Sequence, residues 1–483
     1  MDTSFLQNSA TSLLHQLTQQ TLTAVELIES VHERIAERDG ELGAMSAWDP
    51  VASLTAARRI DAARANGSAI GPLAGLPVSV KDSIDSIGLR TAHGRLSDSH
   101  VATRDAPVVR RLREAGGIIV GKTNAPVYLA DYQAITEFAT TRNPWDLGRT
   151  PGGSSSGAAA AVAAGISAVD FGSDLSGSLR VPAAWCGLFG HRPSNGIVSK
   201  IGQMPWPTSG LLEPLVSAVG PMTRSAKDAR LFFDHMIGVE GPEAVGWNVE
   251  LPPARVVGIH GIRIGLWLEN DAADVDAETR AALQAFADRA SDAGALISEL
   301  KTPPGTGIEG ERLFQHLHAS EIVHGFEPAL WEEHLRNAGM NAGKRGDFSR
   351  LVTQSYRAGI EALEAQALAT QEWASEVFST LDIVLCPAAP TSAPLLSDVP
   401  AEDRTIPFDD GVIAAEQTWR WSRQASLPKL PSTVIPLGAG AKSGLPIGAQ
   451  LLAPYLEDYT SLQFAADAEE AGLVSYVPPP SWW

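Results

Sequence analysis

Cysteine is nearly absent. Cys186 and Cys386 are the only two in 483 residues, too few for a disulfide framework and in keeping with a reducing compartment. Long apolar runs are missing as well. None reaches the roughly 18 residues of a membrane span, and the nearest, the Ala-rich stretch 157–171, is broken by Gly165. The opening Met1-Asp-Thr-Ser-Phe-Leu-Gln-Asn8 has neither a basic nor an apolar segment, so no signal peptide is expected. Positive charge is in deficit: 37 Lys and Arg against 56 Asp and Glu leave a net charge of −19. That balance argues against a nucleic-acid footprint, which needs clustered positive charge. His316, His318, His324 and His334, with Glu321, match no compact ligand spacing, so no metal is expected. No Gly-Lys-Ser/Thr follows the glycine-rich loop at 152–157, which excludes a phosphate-binding P-loop. These absences leave a cytoplasmic chain without cofactor, membrane segment or nucleic-acid partner.

What is present reads as alternating strands and helices. Leu13, Leu14 and Leu17, then Val25, Leu27, Ile28 and Val31, recur at helical spacing. Thr23 followed three residues later by Glu26 is a capping-box pattern. A second helix is expected over about 51–65, ending at Gly67. A turn-rich approach, Gly71 to Pro77, leads into the strand Val78–Val80. Lys81 therefore stands at a strand's end, where α/β folds place chemistry. A helix over 106–115 precedes the strand Ile118–Val120. From about 207 to 400 the pattern is mainly helical (224–238, 276–295, 311–337 and 352–380), interrupted by strands at 261–266 and 382–385. Segments 341–347 and 396–409 read as loops, 433–437 and 445–452 return to strand, and a helix closes the chain at 458–471.

Two Gly/Ser-rich loops dominate the middle of this pattern. Pro151-Gly-Gly-Ser154-Ser155-Ser-Gly157 opens a small-residue helix, and Gly172-Ser-Asp174-Leu175-Ser176-Gly177-Ser178-Leu-Arg180 follows a short strand. The first loop sits at a helix N-terminus, where unpaired N–H groups favour negative charge. Glycines in the second let backbone approach a ligand. Such loops can hold two serines together and aim N–H groups at a developing oxyanion. Gly153-Ser-Ser155-Ser-Gly157 also fits the G-x-S-x-G elbow, but that elbow needs a strand before it, and Arg142–Pro151 does not read as one.

The two loops, continuing into Val181-Pro-Ala-Ala-Trp-Cys-Gly187, resemble the amidase signature family. The likeness extends to Leu76-Pro-Val-Ser-Val-Lys81-Asp82, Asn143-Pro-Trp-Asp146, Cys386-Pro-Ala-Ala-Pro390 and Gly444-Leu-Pro-Ile-Gly448. The resemblance implies an α/β fold, with a large central mixed β-sheet flanked by helices on both faces. One domain would span 1–483, with its core at about 70–205. A variable, mostly helical region at about 240–380 would shape the substrate pocket, and 382–483 would return to the sheet. It also implies a Ser–cis-Ser–Lys triad. By match, Ser178 is the nucleophile, Ser154 the bridging serine and Lys81 the base, the two serines 24 residues apart (178 minus 154). The family's oxyanion hole falls on the N–H groups of Leu175, Ser176, Gly177 and Ser178, with Ser155, Arg180 and Asp174 in support. The peptide on one side of Ser154 would be cis.

Serine attacks well only when a base takes its proton, and a lysine becomes a base when burial lowers its pKa. The expected reaction is hydrolysis of a carbon–nitrogen amide bond through a Ser178 acyl-enzyme, without cofactor. The expected substrate is a small to medium, apolar or aryl carboxamide or anilide. Tyr128 and Trp206, ahead of Trp331 and Trp419, are the aromatic candidates for its pocket, since aromatic rings give large contact area at low entropy cost. The alternatives are an esterase or carbamate hydrolase on the same triad, or the amidase subunit of a glutamine-dependent tRNA amidotransferase, which releases ammonia for a partner. The segment Asn124–Gln133 and the tryptophans Trp419, Trp421, Trp482 and Trp483 point away from that tRNA-linked enzyme. A small-molecule amide is thus the expected partner, and the resemblance allows a homodimer.

Overall fold

A computed structural model describes residues 4–203, 213–340 and 343–480. Eleven strands form one sheet: β1 Met45–Trp48, β2 Pro77–Lys81, β3 Ile118–Thr123, β4 Val169–Asp174, β5 Phe189–Arg192, β6 Ala218–Thr223, β7 Arg263–Leu266, β8 Leu296–Glu299, β9 Ile383–Pro387, β10 Ser432–Ala439 and β11 Pro446–Leu452. Their spatial order is β1-β3-β2-β4-β6-β5-β10-β11-β9-β7-β8. The sheet is mixed. β3, β2 and β4 run parallel, as do β9, β7 and β8, while the strands between them pair antiparallel.

Helices pack on both faces, and β4 shows why. Phe171 and Gly172 are adjacent, so they face opposite sides of the sheet. Phe171 meets Phe232 of the helix Ala226–Asp234 edge-on, centroids 6.0 Å apart. Gly172 faces Ser155 at the mouth of the helix Ser156–Ala163, and a β-carbon there would lie 2.7 Å from Ser155 Oγ. Every residue of that short helix is buried. Its alanines let it lie close against the sheet, which larger side chains would prevent.

The N-terminal elements follow their sequence signals. Thr23 caps the helix Ala24–Leu42 with a reciprocal capping box to Glu26, and Pro50 opens the helix Pro50–Ala65 under an Asp49 cap. Differences gather in the central region. The single helix expected over 311–337 is two, Gly307–Ile322 and Pro328–Met340, because Pro328 cannot continue a helix from before it and instead starts one. A further helix, Lys344–Val352, occupies most of the expected loop at 341–347. Segment 396–409 contains one arm of a hairpin, Thr405–Phe408 with Gly411–Ala414. β7 and β8, both from the 240–380 region, join the main sheet in parallel. No helix among the described residues is long and apolar enough to cross a membrane.

Candidate active site

The site forms where β2 and β4 end and the helix Ser156–Ala163 begins. Lys81 closes β2 and is fully buried. Its Nζ donates to Ser154 Oγ at 2.7 Å, Ser155 Oγ at 3.0 Å and Ser173 Oγ at 3.0 Å. Three neutral hydroxyls and no carboxylate within bonding range make an unusual setting for an ammonium group. Burial is the largest influence on it and pulls the Lys81 pKa down to about 7, against the attraction of Asp174, Asp170 and Asp82.

The Gly153–Ser154 peptide is cis. The Ser155 N–H donates to the Ser178 carbonyl at 3.0 Å, which ties the two serine loops together. Ser178 is the most open of the three triad candidates at 8% exposure. No described residue bonds its hydroxyl. The structure thus gathers Lys81, Ser154, Ser155 and the Ser178 loop at one point, and adds Ser173, which the sequence pattern alone does not single out. Ser173 lies inside the second loop motif, between Gly172 and Asp174, and that position is its only signal.

The loop that carries Ser178 is held from below. Asp174 Oδ1 accepts the Gly177 N–H at 2.9 Å, and Oδ2 accepts the N–H groups of Leu179 and Arg180, each at 3.3 Å. Arg180 returns two bonds to the same carboxylate, both 2.8 Å. The remaining Arg180 donors reach the Ser422 carbonyl (2.6 Å), Gln450 Oε1 (2.8 Å) and Ser426 Oγ (2.9 Å). Arg180 and, less closely, Arg192 hold Asp174 down to about 2 despite its burial. Gly177, at φ +123°, lies so close to Ser422 that a β-carbon would sit 2.5 Å from that residue's own.

Of the four expected oxyanion donors, the Gly177 N–H bonds Asp174, whereas those of Leu175, Ser176 and Ser178 donate to no described residue. Tyr128 is 49% exposed. Its ring stacks on His93 at 4.8 Å, and its hydroxyl bonds Arg95 and Asp98. No triad candidate is among these partners. Trp206 lies outside the described residues. Trp419, a lesser pocket candidate, reaches the serine loop: its Nε1 donates to the Gly153 carbonyl at 3.5 Å. Of the central histidines, His316 bonds Gln354 and His334 bonds Ser349.

Fold and relatives together define an enzyme that cleaves amide carbon–nitrogen bonds. The chain belongs to the Amidase family, whose profile matches residues 26–462. Curated relatives, each named as one of the subunits of glutamyl-tRNA(Gln) amidotransferase, resemble it end to end. That from Koribacter versatilis is 30% identical, over 98% of this chain and 99% of its own length; that from a Synechococcus species is 31% identical, over 95% of each. A solved structure described as a vestigial complex revealing the evolutionary origins of an s-triazine catabolic enzyme superposes with a TM-score of 0.82. It is 26% identical, over 97% of this chain and 100% of that one.

The relatives overturn two expectations. A free-standing amidase for apolar or aryl amides is not what these relatives support; they favour the amidotransferase component, the reading set second from the sequence. A small-molecule substrate without nucleic acid gives way with it, since these relatives are subunits of an enzyme named for a tRNA. The misleading signals were the tryptophans at 419, 421, 482 and 483 and the segment Asn124–Gln133, which contains the turn Val127–Leu129 with Tyr128 exposed. Connecting loops vary more freely than the framework they join, so a ten-residue loop weighs less than likeness along the whole chain.

Proposed function

We propose that this chain is the amide-cleaving subunit of a glutamine-dependent tRNA amidotransferase, working with Ser178, Ser154 and Lys81. The observation that carries the chemistry is the 2.7 Å contact between a buried lysine and Ser154; whole-length likeness to the amidotransferase relatives supports the context. Neutral Lys81 accepts the Ser154 proton as Ser154 takes that of Ser178. Ser178 Oγ attacks the side-chain carboxamide carbon of glutamine. The oxyanion meets the N–H groups of Leu175, Ser176 and Ser178, where losing one donor costs about 3 kcal/mol of barrier. Ser154 returns the proton to the departing nitrogen, ammonia leaves for the partner, and water releases glutamate from the acyl-enzyme.

The central helical region shapes the chamber in this reading. Leu175 of the oxyanion loop packs against an apolar cluster that includes Phe314 and Leu317 of the helix Gly307–Ile322. The net charge of −19 fits a component that leaves contact with tRNA phosphates to its partner. Two buried free thiols fit a cytoplasmic setting. The test is to capture the tagged chain from its native host, identify the retained proteins and assay ammonia release from L-glutamine with and without charged tRNA. Retention of partner subunits with tRNA-stimulated glutaminase activity is the expected result. A chain that labels at Ser178 yet purifies alone and leaves glutamine intact would sink the amidotransferase reading.

A further inference from the structure

One pleat below Lys81 the sheet buries a second ionisable group that the proposed chemistry does not use. Asp170 of β4 is wholly shielded from solvent and stands opposite Ser79 of β2, with Lys81 two residues further along β2. Side chains two apart on a strand share a face, so Asp170, Ser79 and Lys81 line the same side of the sheet. Asp170 Oδ2 accepts from Ser79 Oγ at 2.5 Å and from Thr123 Oγ1 at 3.0 Å. Thr123 is itself the β3 residue paired with Lys81. Ser167 Oγ completes the group, 2.8 Å from Ser79 Oγ. Asp170 Oδ1 has no hydrogen-bond partner among the described residues.

A buried carboxyl with an unmatched oxygen is costly, and an apolar side chain at 170 would carry no such penalty. Its electrostatic surroundings are those of the active site. Lys81, at the end of β2, and Lys122 of β3 act on it electrostatically, and Asp82, just beyond β2, acts on both lysines. Asp174 lies further along β4, and Lys200 acts on Lys81 from the segment after β5. Arg224, beyond β6, donates to the Ser167 carbonyl at 2.7 Å.

We propose that Asp170 is a positioning residue for the proton relay: its carboxyl, fixed by Ser79 and Thr123 beneath Lys81, sets how readily that lysine gives up its proton. The proposal rests on the reading of Lys81 as the base. An ionised Asp170 favours the charged lysine, and a neutral Asp170 releases it. Burial pushes Asp170 up to about 6 and Lys81 down to about 7, so the two titrate in neighbouring ranges and each senses the other. The proton path from Ser178 through Ser154 to Lys81 is unchanged.

The test needs no knowledge of the substrate. The rate of Ser178 labelling by a phosphonyl fluoride is followed from about pH 5 to about pH 9 in wild type, Asp170→Asn and Ser79→Ala. Removing the carboxylate lowers the lysine's proton affinity. Asp170→Asn therefore labels roughly three- to tenfold faster than wild type near pH 6 and equally fast on the alkaline plateau. Ser79→Ala withdraws a donor that favours ionised Asp170, and moves the acid limb the same way by less. An acid limb left in place with only a uniform change of rate overturns the proposal, as does a shift to higher pH. Loss of folded circular dichroism in both variants would make Asp170 purely structural and overturn it too. A wild-type protein that does not label defeats the triad itself, a result distinct from labelling with an unmoved limb.

Discussion

Lys81 Nζ stands 2.7 Å from Ser154 Oγ, with both side chains shut away from solvent. The contact joins the end of a strand to the mouth of a helix across 73 residues of chain. Two local decisions make it possible. Gly172 leaves room for Ser155 beside the lysine, and the all-small helix Ser156–Ala163 settles close on the sheet. The lysine meets hydroxyls and no carboxylate, so it can lose its proton near neutrality and still be fully hydrogen-bonded.

Ser178→Ala should abolish turnover and leave the fold intact. The hydroxyl has no bond to any described residue, so its removal breaks no hydrogen bond there and takes away a single oxygen; the stability change should stay within about 0.5 kcal/mol. Intact-mass analysis after phosphonyl fluoride treatment should show one adduct on wild type and none on the variant. An adduct on Ser155 would reassign the nucleophile.

Lys81 ties activity to pH. With a pKa lowered to about 7, the neutral base accumulates as pH rises through 7, and kcat/KM should climb in that range and level off above it. The same shift opposes folding in acid. Between the folded value near 7 and the ordinary lysine value near 10.5, the unfolded chain binds the extra proton, so stability rises with pH across that window. Lys81→Met should be inactive yet more stable at pH 6 by a few kcal/mol, because it removes a buried charge. Thermal melts at pH 6 and pH 9 would check this, the gain shrinking at the higher pH. A variant that melts lower at pH 6 would contradict the account.

Ser154 and Ser178 drew notice through contiguous Gly/Ser-rich loop motifs, and Lys81 through its match to the family at the end of a strand. The strands carrying them were legible as short apolar runs. Asp170 was not, since one carboxylate in an apolar strand gives no sign of what it faces; its role depends on Ser79 and Thr123, 91 and 47 residues away. The commitment of the Gly177 N–H was hidden for the same reason, being a matter of which way Asp174 turns. The strands β1, β5, β6 and β8 escaped notice: β1, β5 and β8 have four residues each, and β6 carries Gly220 and Pro221, residues that read as a turn. Partner identity was least legible, because it was sought in one short segment and a few tryptophans rather than along the whole chain.

Tyr128→Ala should be nearly silent. The ring is half exposed and held by His93, Arg95 and Asp98, with no contact to the serine loops. The positive φ of 54° at this residue persists in the alanine variant, and the lost stacking and hydrogen bonds are worth about 1 kcal/mol. Ammonia release should keep kcat and KM within about twofold. A tenfold rise in KM would instead place the ring at the substrate.

Asp174 and Arg180 hold the Ser178 loop, and breaking the pair should harm both stability and rate. Asp174→Asn leaves the buried Arg180 guanidinium without its counter-charge, which costs about 3–5 kcal/mol. It also loosens the Gly177 N–H and with it the oxyanion loop, so kcat should fall with KM little changed. The pH dependence has a definite sign. Asp174 is held down to about 2 from an ordinary value of 3.8, so its stabilising contribution is complete above about pH 4 and is lost as the pH falls toward 2. Acid titration of wild type and Asp174→Asn, followed by tryptophan fluorescence, should show the variant's deficit at pH 7 narrowing as acid protonates the wild-type carboxylate. A deficit that stays constant down to pH 2 would mean the carboxylate's charge does not hold the loop.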